Sequence, residues 1–120
     1  MAVPFGQLHI DASQPAAGTC LISVVGNVDM MTASSLERAV AEQCAALPSI
    51  VVLDLRGVRF LGSSGLASLL AVRESVMAVG ARLRLVCTGP TVLEPMDATG
   101  LTKRFEVYPD ADSALDGPPP

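Results

Sequence analysis

Ile50-Val51-Val52-Leu53-Asp54-Leu55-Arg56-Gly57-Val58-Arg59-Phe60-Leu61-Gly62-Ser63-Ser64-Gly65-Leu66 is the stretch that decides how this 120-residue chain folds. It opens with a continuous apolar run rich in β-branched residues, which reads as a central strand covered on both faces. Arg56-Gly57 is expected to break that strand, and residues 58–61 then deliver the chain to Gly62-Ser63-Ser64-Gly65. From there the spacing predicts a helix to about Val79. At 100° per residue, Leu66, Leu69, Leu70, Val72, Val76, Met77 and Val79 share one half of the wheel. Arg73 falls in the same half, its stem packing while its guanidinium reaches out. Gly80 is the expected stop.

Working outward toward the N-terminus, residues 7–10 predict a short first strand, followed by the turn-rich Ser13-Gln14-Pro15-Ala16-Ala17-Gly18. A second strand over residues 19–25 makes an antiparallel pair with it, closed by Gly26. The next helix is capped by Thr32 or Ser34, and Ser34 with Glu37 has capping-box spacing. Its apolar face is Leu36, Ala39, Val40, Cys44 and Leu47, and Pro48 ends it. Toward the C-terminus, Ala81-Arg82-Leu83-Arg84-Leu85-Val86 alternates and predicts a strand with one face open to solvent. A turn at Gly89-Pro90, a short helix over residues 91–98 and an edge strand at Phe105-Glu106-Val107-Tyr108 follow. Strand–helix alternation after an opening hairpin predicts an α/β domain with a mixed sheet and crossover helices. One domain is expected over residues 1–116, with a loose tail at 117–120.

Composition narrows the function. Half the residues are hydrophobic and only 3% are aromatic, with a mean hydropathy of +0.47. The core must therefore come from Val, Leu, Ile, Ala and Met, and a disordered chain is excluded. A formal charge of −4 argues against a basic groove for phosphate backbones, so no direct nucleic-acid binding is expected. Residues 1–5 do not resemble a signal peptide, and no run is long and apolar enough for a membrane span. A cytoplasmic location without membrane insertion is the expectation. Cys20, Cys44 and Cys87 are widely spaced, with no CxxC, and read as buried structural residues, not a redox switch.

Enzymatic chemistry fails on inventory. The single histidine, His9, belongs to the opening edge strand and has no ligand-spaced partners. Asp29 and Asp54 each end a strand, and Asp29 suits a turn or cap. Neither a catalytic residue nor a metal or cofactor is expected. Gly62-Ser63-Ser64-Gly65 lacks the glycine spacing of a nucleophile elbow and the lysine of a P-loop. A helix N-terminus explains one of its serines as a cap. A second serine between two glycines suits a switch, because a phosphate at a helix N-terminus meets partial positive charge and open N–H donors.

Over roughly residues 19–115 the chain resembles the STAS domain of anti-sigma factor antagonists. Gly26-Asn27-Val28-Asp29 is similar to the family's Gly-Glu-Leu-Asp, and Leu53-Asp54-Leu55-Arg56-Gly57-Val58 to its Asp-Leu-x-x-Val strand. Phe60-Leu61-Gly62-Ser63-Ser64-Gly65-Leu66 is similar to its Phe-x-Asp-Ser-Ser-Gly-Leu signature, and Thr99-Gly100-Leu101 matches its ending. The resemblance implies a small mixed sheet of four to five strands with about four packed helices. It implies binding to an anti-sigma factor, usually a serine kinase of the GHKL ATPase type, so that a sigma factor is released. It further implies phosphorylation of Ser63 and its reversal by a phosphatase, with Ser64 left to a structural capping role. The expected partner surface comprises Asn27, Asp29, Gly62, Ser63, Ser64, Gly65, Ala67 and Ser68. Gly62 stands where the family usually has Asp, and Asn27 where it often has Glu, which removes a charge beside the acceptor serine. A soluble STAS subunit of an ABC-type lipid transport system is the alternative that the same resemblance leaves open.

Overall fold

A computed structural model describes residues 7–117. They form β1 (Leu8–Ala16), β2 (Thr19–Val28), α1 (Ala33–Cys44), β3 (Ile50–Leu61), α2 (Ser63–Ala78), β4 (Arg82–Val86), α3 (Pro90–Ala98), a 3₁₀ turn (Leu101–Arg104), β5 (Glu106–Tyr108) and α4 (Ala111–Leu115). The five strands make one sheet in chain order. β1 and β2 are antiparallel, and every later step is parallel. Ala17 and Gly18, the latter at φ +73°, suffice to reverse the chain between β1 and β2. Each parallel step needs a long return path, which α1, α2 and α3 supply in turn. This is the mixed sheet with four helices that alternation and resemblance implied.

The larger core lies on one face, where Ile22, Val24, Leu53 and Leu55 meet Leu36 and Val40 of α1, Leu69 and Val72 of α2, and Met96 of α3. A smaller cluster on the other face joins Val52 and Val86 to Ala114 of α4. That second cover corrects the expectation for β4. Residues 83–86 are all buried, because α4 closes the face that alternation had left to solvent. Arg84 is 0% exposed. Its Nη1 donates to the Ala114 carbonyl at 2.8 Å, its guanidinium lies 5.8 Å from the centre of the Tyr108 ring, and the Glu106 carboxylate is 3.9 Å from its Nε.

β3 does not break at Arg56-Gly57. It runs twelve residues and carries two bulges against β2, one between the Ser23–Asp54 and Val25–Gly57 pairs and one between Gly26–Val58 and Asn27–Phe60. A single extra residue reverses which face a strand's side chains take. The inward set accordingly steps from Val51, Leu53 and Leu55 to Val58 and then to Leu61, all in the main core. Asp54 therefore lies inside a strand, where its carboxylate accepts from the Arg56 guanidinium at 2.8 Å.

Further boundaries shift for identifiable reasons. β1 extends to Ala16 through residues expected to turn, because an exposed edge strand tolerates Pro15 and polar side chains. β2 passes through Gly26, whose φ of +121° and approach to the Gln7 carbonyl leave no room for a Cβ. Leu47 is exposed, since α1 ends at Cys44 and Leu47 follows at φ +53°. Met77 is exposed as well: the buried stripe of α2 is Gly65, Ser68, Leu69, Val72 and Val76, narrower than half a wheel. The Ser34–Glu37 capping box does not form, as Ser34 lies within the first turn of α1 and Thr32 occupies the N-cap position without a side-chain cap. Residues 1–5 and the tail from 118 lie outside the described residues, whereas Gly117 sits against Tyr108 and Arg84.

Candidate functional site

Ser63 is the first residue of α2, which starts where β2 and β3 end together. The Gly62 amide donates to the Val28 carbonyl at 3.2 Å, which ties the helix start to the end of β2. Gly65 makes the junction possible, because a Cβ there would meet the Val28 carbonyl oxygen at 2.7 Å and a Leu61 methyl at 2.5 Å. α2 thus seats its first turn directly on the sheet and presents Ser63 and Ala67 outward, while Ser64 is half-buried. Neither serine caps the helix. The N-cap residue is Gly62, which has no side chain to offer, so the capping role expected of Ser64 is not filled. The first N–H groups of a helix lack partners within it and face the space around Ser63.

The loop beside this junction is held by Asp29, as its turn-forming character predicted. Its Oδ1 accepts from the Met31 amide at 2.9 Å and the Thr32 amide at 3.2 Å. Its own amide donates to Thr32 Oγ1 at 3.0 Å, and that hydroxyl donates to the Asn27 carbonyl at 2.6 Å. The Asp29 carboxylate is consequently occupied in shaping the loop, and its shaping leaves Met30 and Met31 each 81% exposed. Asn27 pairs in register with Phe60, which is 52% exposed. A Cβ at Gly62 would lie 3.0 Å from the Phe60 ring, so the glycine leaves this ring room against the junction.

The structure brings Asn27, Asp29, Gly62, Ser63, Ser64, Gly65 and Ala67 to one end of the sheet. Ser68 departs from the expected surface. It is 1% exposed and its hydroxyl donates to the Ala33 carbonyl at 3.2 Å, binding α2 to α1. Its spacing from Gly65, Leu69 and Val72 places it on the buried stripe, where a small residue lets the helices approach. Sequence reasoning missed Met30, Met31 and Phe60, since apolar residues read by default as core. The Asp29 turn was the available signal that the two methionines sit on a loop tip.

Elsewhere, His9 is exposed on β1 with Nε2 2.9 Å from the Asp11 carboxylate. Among the described residues no group of three or more His, Cys, Asp or Glu could hold a metal, and no helix is long and apolar enough to cross a membrane. Cys20, Cys44 and Cys87 are free and buried. Burial raises each thiol above its ordinary value, with Cys87 pushed up to about 11 by desolvation and then by the Asp54 charge.

The profile of the STAS domain family matches residues 12–114. The anti-sigma-F factor antagonist RsfB of Mycobacterium tuberculosis is 35% identical over 100 residues, covering 83% of this chain and 81% of that protein. The crystal structure of an anti-sigma factor antagonist from Mycobacterium paratuberculosis gives a TM-score of 0.81 at 37% identity, over 91% of this chain and 92% of that one. The Bacillus cell fate determinant SpoIIAA, in its phosphorylated form, gives a TM-score of 0.68 at 17% identity, over 90% of this chain and 97% of that one; this likeness is one of fold alone.

Proposed function

The chain belongs to the STAS domain family, and from that premise we propose that it acts as an anti-sigma factor antagonist whose binding surface surrounds Ser63. The observation that carries this reading is the exposed Ser63 at the start of α2, at the same end of the sheet as the exposed Met30, Met31 and Phe60. Small residues at the junction let a partner's backbone approach closely. Exposed methionine and phenylalanine beside them supply apolar surface of the kind that docks against protein. The chain works by holding its partner, an anti-sigma factor in the cytoplasm, and carries out no turnover of its own. Sigma factor is released as a consequence.

Phosphorylation of Ser63 is the switch in this scheme, written by a serine kinase of the GHKL ATPase type that is itself the partner, and erased by a phosphatase. A phosphate at the start of α2 gains about 0.3–1 kcal/mol from the helix dipole at an exposed site, so the domain keeps its fold. The complex loses instead. Roughly two negative charges appear beside apolar surface that the complex would desolvate.

The test is affinity capture with the wild-type chain beside Ser63→Glu, with bound proteins identified by mass spectrometry. An anti-sigma factor held by the wild type and lost by Ser63→Glu is expected. Equal capture by both, or capture of an ABC transporter ATPase, overturns the reading. Phosphopeptide mapping after incubation with the captured kinase and ATP should place phosphate on Ser63. Phosphate on Ser64, or on neither serine, removes the switch.

A further inference from the structure

The far end of α2 borders a cavity of about 480 Å³, lined from α2 by Arg73 and Met77, from the start of β4 by Arg82 and Leu83, and from the 3₁₀ turn and β5 by Lys103, Arg104, Phe105 and Glu106. Its volume falls in the range of small-molecule sites, roughly 300–1,000 Å³. From Ser63 to Met77 the helix climbs about 21 Å at 1.5 Å per residue, so this cavity is remote from the serine.

Its charge is out of keeping with the rest of the chain. The chain carries a formal charge of −4 and eight basic residues, yet four of the eight line this one cavity against a single acid. That acid, Glu106, already accepts from the Arg82 guanidinium. Arg73 Nε donates to the Arg104 main-chain carbonyl at 3.0 Å, a neutral acceptor that leaves the arginine's charge in place. Lys103 and Arg104 are exposed at the mouth. Met77, Leu83 and Phe105 give the same cavity an apolar side. The arrangement is a cationic rim around an apolar wall.

We infer that this cavity binds a small amphipathic anion, a molecule with a phosphate or carboxylate head and an aromatic or aliphatic body. The head meets Arg73, Lys103 and Arg104, and the body lies against Met77, Leu83 and Phe105. Nucleic acid would need a cationic track longer than one pocket, and a protein partner would need more area than a pocket of this size presents. The inference stands apart from the role of Ser63, because it uses none of the residues at that end of α2.

Three ligands of one ring system test it on the full chain: 1-naphthyl phosphate, 1-naphthoate and the uncharged 1-naphthol. Titration followed by amide and methyl NMR shifts should show saturable binding of at least one anion, with shifts at Met77, Leu83 and residues 103–106. The tighter of the two anions identifies the head group. 1-Naphthol should bind at least tenfold more weakly, about 1.4 kcal/mol. The Lys103→Glu/Arg104→Glu double variant should weaken the anions at least tenfold, and its unchanged amide spectrum elsewhere reports that it is folded. Equal affinity for 1-naphthol, indifference to the charge reversal, shifts confined to Met30, Met31 and Ser63, or no saturable binding of either anion each overturns the inference.

Discussion

At its start α2 shares one end of the sheet with Gly62 and the exposed Met30, Met31 and Phe60; at its last turn it borders Arg82, Lys103 and Arg104 across an apolar wall. The same helix therefore joins two surfaces of different kinds. At the serine end the nearby carboxylate, Asp29, is held by loop amides, so a phosphate added there would be the dominant charge. At the far end an anion would enter a field already positive. The lesson is that a domain with an overall negative charge can keep one end sensitive to a single charge by collecting much of its cationic character at the other.

The contrast is broken most directly by charge at the serine. Ser63→Glu should weaken partner binding about a hundredfold, near 2.7 kcal/mol, measured by calorimetry, while stability in urea changes by less than about 0.5 kcal/mol. Next comes the geometry of the junction. Gly65→Ala forces a methyl against the Val28 carbonyl and should cost about 1–3 kcal/mol of stability in the same urea titration. A smaller effect sharpens the apolar half of the comparison. Met30→Ser/Met31→Ser should weaken the partner about tenfold with no loss of stability, because both side chains already face solvent. Least of all, Lys103→Glu/Arg104→Glu should leave partner affinity within about twofold, as expected for charges separated from the interface by more than a Debye length of roughly 8–10 Å. A tenfold change there would mean that the two ends of α2 are coupled.

How much of this was legible in the sequence varies with the reach of the interactions involved. The apolar run from Ile50 and the helix that follows Gly62 are legible in local patterning. The continuation of β3 does not. Arg56-Gly57 has the composition of a turn, and only pairing with β2 shows that the extra residues are bulges. Arg82-Leu83-Arg84 alternates like a half-solvated strand. Arg84 is buried all the same, because α4, a helix of five residues with too little periodicity to read, brings the Ala114 carbonyl to its guanidinium. In the site, Asp29 was legible through its turn chemistry. Ser68 was not, since its burial depends on where α1 crosses α2.

The paired bulges of β3 also bear on how the chain tolerates changes of length. Between Leu55 and Leu61 the inward positions fall at every third residue, 55, 58 and 61. Deleting one residue at either bulge leaves its two flanking inward residues two positions apart, the spacing of strict alternation, so Val58 and Leu61 both stay in the core. A relative one residue shorter at either bulge would therefore keep the same core face and the same start of α2, with its serine still at the surface.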